Sequence, residues 1–157
     1  MQRNFPVPKN KNAVPLLEKD LTDKIIGAAI EVHRTLGPGL LESSYQACLE
    51  HESALQKLAF EHRVKLPVKY KGIELDAGYE IDLIYDKRVI VELKAVERVI
   101  PVHEAQLLTY LKLSNVSLGL LINFHVPVLK SGLKRIVNSF SESSASPRLR
   151  GSINQPA

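Results

Sequence analysis

The stretch 77–96 constrains the fold of this chain most, because it has the pattern of a β-hairpin. Apolar and polar residues alternate through residues 80–85, and residues 89–95 form a second run rich in β-branched side chains. The polar residues 86–88 between these runs suit a hairpin loop of three residues, a common length. With that loop, Tyr85 pairs with Val89, and Asp82 lies opposite Glu92.

The predicted hairpin gathers charge on one small patch. Since strand side chains alternate with period two, Glu92 and Lys94 leave the second strand on the same side, while Leu93 points away. Opposed side chains of antiparallel strands have Cβ atoms about 4.5–5.5 Å apart, so the Asp82 and Glu92 carboxylates would repel each other. Mg²⁺ would offset this repulsion, because it prefers carboxylate and carbonyl oxygens. The alternative is a solvated strand face on which Glu80 pairs with Lys94, and the spacing alone does not decide between the two.

Helical patterns lie on both sides of the hairpin in the sequence. A first helix is predicted to begin near Asp20, with one apolar stripe, and to stop at Gly37-Pro38-Gly39. A second helix is predicted from about Leu41 to Leu58, with Glu42 in its first turn. A carboxylate at that position is stabilised by the helix dipole without any metal. We expect a third helix from about His103 to Leu113.

Further strands are predicted on both sides of the hairpin. The segment Phe60 to Tyr70 alternates like a strand, and Pro67 within it argues for an edge position or a bulge. The apolar run Ser117 to Phe124 suits a strand buried on both faces and parallel to the Glu92 strand. A last short strand is expected between Leu133 and Asn138.

The order of four elements resembles the PD-(D/E)XK nuclease superfamily. These elements are Glu42, the GYEID segment that ends at Asp82, the sequence Glu92-Leu93-Lys94, and Gln106-x-x-x-Tyr110. Within the superfamily the chain resembles the RecB-like branch, which has a QxxxY helix. It is also similar to the small bacterial proteins named GxxExxY, whose motif stands here as Gly39-Leu-Leu-Glu42-Ser-Ser-Tyr45. The resemblance covers about residues 20–138.

The resemblance implies an α/β fold with a restriction endonuclease-like core, in which helices flank a central mixed β-sheet. The two N-terminal helices would lie on one side of the sheet and the QxxxY helix on the other. The implied activity is metal-dependent hydrolysis of nucleic-acid phosphodiester bonds, with DNA favoured over RNA, and the implied cofactor is Mg²⁺, for which Mn²⁺ could substitute. The alternative function is a non-catalytic nucleic-acid-binding or assembly module that retains the nuclease fold.

The resemblance also implies roles for individual residues. Asp82, Glu92 and the Leu93 carbonyl would hold the metal, with Glu42 as a further ligand directly or through water. Lys94 would position the nucleophilic water. Gln106 and Tyr110 would bind the substrate. Titration with Mg²⁺ or Mn²⁺ would separate a catalytic site from a pure binding module, since only the former must bind metal.

Length and composition define the expected setting of the site. The 157 residues suit one domain, and a net charge of +4 mildly favours a polyanionic partner. A single cysteine, Cys48, excludes an internal disulfide and a multi-cysteine metal site. Without an apolar leader or span we expect a cytoplasmic protein that has no membrane partner. Residues 1–19 are predicted to be a flexible arm, residues 20–138 the nuclease-like domain, and the Ser-rich residues 139–157 a disordered tail.

Overall fold

Five strands form one mixed sheet in the order in which they occur along the chain. The computed structural model describes residues 17–139, so most of the predicted arm and nearly all of the predicted tail lie outside the described residues. The strands are β1 (Phe60–Tyr70), β2 (Ile73–Tyr85), β3 (Val89–Lys94), β4 (Leu118–Asn123) and β5 (Leu133–Val137). Only the β3–β4 pair is parallel, and the other neighbouring pairs are antiparallel.

Three α-helices cover the two faces of this sheet. They are α1 (Lys19–Leu36), α2 (Glu42–Leu55) and α3 (Pro101–Ser114), and a short 3₁₀-helix (Leu129–Gly132) precedes β5. Helices α1 and α2 share a buried cluster with Val91 and Leu93 of β3, whereas α3 shares another with Ile90. Successive β3 side chains point to opposite faces, so α3 lies on the face opposite to α1 and α2. The predicted α/β architecture is confirmed, and none of the helices in residues 17–139 is long and apolar enough to cross a membrane.

The helix boundaries differ from the sequence-based expectations by a few residues. Helix α1 begins at Lys19, and Asp20 lies within its first turn instead of capping it. It ends at Leu36, and Gly37, which follows, takes a positive φ of 69°. Helix α2 stops at Leu55, earlier than expected, and Lys57 beyond it has a positive φ of 58°. Helix α3 begins at Pro101, because proline at the first helical position loses no intrahelical hydrogen bond.

The β2–β3 hairpin has the register that its sequence predicts. Tyr85 pairs with Val89, and the loop is Asp86–Arg88. Asp86 and Lys87 both have positive φ, near 51° and 55°. The predicted buried strand is also confirmed, because all six residues of β4 are buried and it runs parallel to β3. The acids of the hairpin therefore lie at the edge of the buried part of the sheet.

The alternation expected along β1 is wrong beyond its first residues. Phe60 packs against the α1–α2 cluster, but Val64 and Leu66 pack on the α3 side. Arg63 between them has a positive φ of 48°, and a single left-handed residue rotates the strand so that its faces exchange. A second irregularity follows between Leu66 and Val68, at Pro67, in agreement with the predicted bulge.

Strand β2 changes faces at the matching point. Leu83 contributes to the α1–α2 cluster, whereas Ile81 contributes to the α3 cluster. Strict alternation would put both on one face. The face toward which the β2 side chains point therefore changes at Asp82. This acid lies between the two helical layers and can be reached from both.

Candidate active site

Asp82 and Glu92, here called the acid pair, lie where the backbone pairing of β2 and β3 ends. The paired register runs from Tyr85–Val89 to Leu83–Val91. Beyond it the Asp82 N–H donates to Glu92 Oε1 at 3.1 Å, and the Leu93 N–H donates to Asp82 Oδ2 at 2.9 Å. Each carboxylate thus accepts a hydrogen bond from the opposite strand. The two side chains converge at this position.

Burial makes the acid pair costly to ionise. Only 5% of Glu92 is exposed, and its pKa is raised well above the usual glutamate range, first by burial and then by the nearby Asp82 charge. Burial also raises the pKa of Asp82, although the Leu93 N–H opposes this shift. The raised pKa values mean that the acid pair holds a proton more strongly than isolated carboxyl groups do. A cation at this position would replace that proton.

Glu42 and Lys94 complete the charged group. Glu42 is the first residue of α2, and its carboxylate lies near Lys94, Asp82 and the backbone of Ala95. Burial raises the pKa of Glu42, while the Lys94 ammonium opposes this shift. The ammonium of the half-buried Lys94 also lowers the pKa values of Asp82 and Glu92 and so opposes the effect of burial. The structure therefore brings four of the predicted residues together, from α2, β2 and β3.

The alternative arrangement, a simple cross-strand pair of Glu80 with Lys94, is not what forms. Glu80 lies opposite Lys65 of β1. Its strand has already separated from β3 at that point, because the β2–β3 register stops at Leu83. Lys94 faces the acid pair and Glu42 instead of a single partner on an exposed strand.

Gln106 and Tyr110 form a polar wall on the α3 side of the acid pair. The Gln106 amide donates to Tyr110 Oη at 2.9 Å, and only 5% of Tyr110 is exposed. The pKa of Tyr110 is raised by burial and next by the Glu92 charge, which places the phenol close to the acids. His103, on the same side of the helix, has a local structural role, because its Nδ1 accepts the Ile100 N–H.

Sequence reasoning missed two residues that hold the site in place. Gln46 donates from its amide to the Asp82 carbonyl at 3.0 Å and so joins α2 to β2. Asn123 bridges the chain beyond β3, because its side chain accepts the Val96 N–H and donates to the Val96 carbonyl. A buried asparagine at the end of an apolar strand is a signal for Asn123, and Gln46 follows Glu42 by one helical turn.

The donor set of the acid pair suits a hard divalent cation. Carboxylate oxygens are the ligands that Mg²⁺ prefers, and a cation would stabilise the ionised forms of the buried Glu92 and the half-buried Asp82. Within residues 17–139, however, no group of three or more His, Cys, Asp or Glu side chains is arranged to hold a metal. The acid pair would need water or backbone oxygens as further ligands, and the predicted ligand set stays a prediction.

Comparison with known proteins agrees with this architecture. The family model described as PD-(D/E)XK nuclease superfamily matches residues 19–136, a range that begins with α1 and includes nearly all of β5. No curated protein and no solved structure gives a match. The matched range contains all six side chains of the charged group and its polar wall.

Proposed function

The chain belongs to the PD-(D/E)XK nuclease superfamily, and we propose that it is a Mg²⁺-dependent nuclease that hydrolyses phosphodiester bonds, with DNA as the preferred substrate. The observation that carries this proposal is the convergence of Asp82 and Glu92 beside Lys94. We place it in the RecB-like branch and among GxxExxY proteins on its motifs, and we expect it to act in the cytoplasm.

The acid pair is the proposed metal-binding part of the site. Asp82 and Glu92 would hold Mg²⁺, or Mn²⁺ in its place, together with the Leu93 carbonyl and with Glu42 directly or through water. The chemistry that such an ion supplies is activation of water and stabilisation of charge on the phosphate. The raised pKa values of Asp82 and Glu92 support this assignment, because a buried and a half-buried carboxylate repel each other unless a cation lies between them.

Lys94 is the proposed positioning group for the nucleophilic water. Its ammonium offers three donors and lies beside Glu42 and the acid pair. A charge held there before the reaction begins stabilises negative charge that develops on the phosphate, without reorganisation during the step. Glu42 would keep the Lys94 ammonium directed into the site.

Gln106 and Tyr110 are the proposed substrate contacts. Because the Gln106 amide donates to Tyr110 Oη, the phenolic proton of Tyr110 can be donated to another acceptor, such as a phosphate oxygen. A buried donor next to the acids would hold the phosphate against the repulsion of Glu92.

The proposal is tested by cleavage of labelled DNA and RNA, single-stranded and duplex, with Mg²⁺, with Mn²⁺ and with a chelator. We expect metal-dependent cleavage that Asp82→Asn and Glu92→Gln abolish. Asp23→Asn is the matched control, because Asp23 is exposed on α1 and distant in sequence from the site. Binding of nucleic acid without metal-dependent cleavage by the wild type would favour the non-catalytic module instead.

A further inference from the structure

Residues 66–80 of β1, β2 and their turn form a two-stranded ribbon that extends past the rest of the sheet. Strand β2 pairs with β3 only through residues 83–85, so among the described residues the ribbon pairs with itself, except that Glu80 pairs with Lys65 at its base. All eight residues from Ile73 to Glu80 are exposed. A two-stranded extension is marginally stable at best in water when nothing packs against it.

One face of the ribbon is apolar and exposed nonetheless. Tyr70 pairs with Ile73 and Val68 pairs with Leu75, so these four side chains share a face. Tyr70 is 58% exposed, Ile73 54% and Leu75 47%. The charged pair Lys69–Glu74 occupies the other face. A contiguous patch of exposed apolar side chains points to a binding site, whereas single exposed apolar residues are ordinary on protein surfaces.

This apolar face continues into a groove beside the acid pair. Val68 and Tyr79 of the ribbon form one wall, and α3 forms the other with residues that include Gln106 and Tyr110. The groove has a volume of about 440 Å³. The Tyr79 ring is 45% exposed, and its centroid lies 6.2 Å from that of Tyr110. Gln106 and Tyr110 line the groove, and the Glu92 charge acts on the Tyr110 phenol, so the groove adjoins the proposed site of cleavage through these two residues.

We propose that this groove binds unpaired nucleobases of the substrate strand, with Tyr79 as the stacking surface. The inference rests on the proposed function, because it takes the strand cut at the acid pair as the source of the bases. A duplex presents mainly charged phosphates and sugars to a protein surface, and these groups gain little from contact with apolar walls. Unpaired bases present π-faces that stack on exposed aromatic rings.

Cationic side chains lie where the backbone of such a strand could pass. Lys71 stands at the turn of the ribbon, with Nζ 5.3 Å from the centroid of the Tyr70 ring. Lys65 and Lys69 lie opposite acids of β2, so their charge is partly offset. The ribbon therefore offers stacking surface in the groove and only modest charge outside it. That balance favours recognition through bases over recognition through phosphates alone.

The test measures binding without cleavage, in chelator, by fluorescence anisotropy. The probes are a labelled single-stranded oligonucleotide, its duplex, and a strand of equal length whose bases are absent along the central region. We expect the wild type to bind the single strand most tightly and the abasic strand far more weakly. Tyr79→Ala should weaken binding of the single strand by about 5- to 150-fold, the cost of losing one stacked base, and should not change binding of the abasic strand.

Two further variants make the test specific. Tyr79→Phe keeps the ring and should bind like the wild type. Leu55→Ala removes an apolar side chain that is 65% exposed on the opposite face of the sheet, and it should have no effect. Thermal unfolding of each variant would verify that the fold is retained, as expected for a half-exposed Tyr79.

Several results would overturn the inference. Equal binding of normal and abasic strands, unchanged binding by Tyr79→Ala, or no binding by the wild type would each contradict it. Self-association of the wild type that Tyr79→Ala abolishes, without base-dependent binding, would assign the groove to a second copy of the chain. Cleavage with Mg²⁺ is scored separately. Cleavage without base dependence removes only this inference, whereas base-dependent binding without cleavage removes only the proposed nuclease function.

Discussion

Asp82 and Glu92 are joined directly across the two strands, because the Asp82 backbone N–H donates to Glu92 Oε1 at 3.1 Å. The Asp82 carboxylate in turn accepts the N–H of the residue after Glu92 at 2.9 Å. The same oxygens that could hold a cation thus continue the β2–β3 pairing. Substitutions at the acid pair must therefore separate loss of charge from loss of a hydrogen-bond acceptor.

Amide substitution at the acid pair should raise the stability of the metal-free protein. Asp82→Asn and Glu92→Gln keep an oxygen that can accept the backbone N–H and remove an ionisable group that burial penalises, so we expect slightly higher melting temperatures at neutral pH. Cleavage and metal affinity should both fall. Glu92→Ala is the contrast, because it leaves the Asp82 N–H without its acceptor and should cost about 1–3 kcal/mol. A strong fall in stability of the amide variants would identify the carboxylates as structural partners.

The stability of the metal-free protein should fall as pH rises. The folded-state pKa of Glu92 is raised above its ordinary value of 4.5, so between the two values the folded protein binds more protons than the unfolded chain. The stabilising protonation is complete below about pH 4.5 and is lost as pH rises through the folded pKa. Urea unfolding across this window should show the decline, and Glu92→Gln should flatten it. Added Mg²⁺ should oppose the decline, since metal competes with protons.

Lys94→Ala should abolish most metal-dependent cleavage and leave the fold intact. Loss of one preorganised electrostatic group lowers rates by about 10²–10³-fold in other active sites. The matched control is Lys24→Ala, an exposed lysine of α1, which should cleave like the wild type. Circular dichroism and a nuclease assay at equal concentration are the measurements. Full activity of Lys94→Ala would make its assigned role wrong and would point to contamination or another site.

Asn123→Ala should weaken the fold and the site together. The variant loses both hydrogen bonds to Val96 and leaves partly buried backbone groups without these partners, at a cost of up to about 1–3 kcal/mol for each unsatisfied group. We expect a lower melting temperature and reduced cleavage, with part of the cleavage restored by cooling or by excess metal. Asn123→Asp, which keeps an acceptor for the Val96 N–H, should retain more stability. An unchanged melting temperature of Asn123→Ala would contradict the bridging role.

Removal of residues 139–157 should change stability little. Their composition offers few apolar side chains to bury. The measurement is thermal unfolding of a chain that ends at Asn138, compared with the full chain. Asn138 is retained because its backbone N–H donates to the Ser117 carbonyl at 2.8 Å. A large fall in melting temperature would mean that the tail docks on the domain.

Local periodicity was enough to predict the main elements and the hairpin register. A three-residue loop and period-two alternation define which residues of β2 and β3 oppose each other, so Asp82 and Glu92 could be paired from sequence alone. The same holds for β4, whose continuous apolar run is buried on both faces. Gln106 and Tyr110 also lie on one side of α3, as their spacing of four residues predicts.

The exchange of strand faces at Arg63 and Asp82 was not predictable, because no local sequence signal marks an arginine that takes a positive φ. The approach of Glu42 to Lys94, the bond from Gln46 to Asp82 and the bridge of Asn123 to Val96 join residues that are distant along the chain. The alternation of side chains through 83–85 and through β3 depends on a few neighbouring peptide units, so the sequence by itself determined it. The burial that raises the pKa values of Asp82 and Glu92 depends on both helical layers closing over the sheet, and only the tertiary structure decided it.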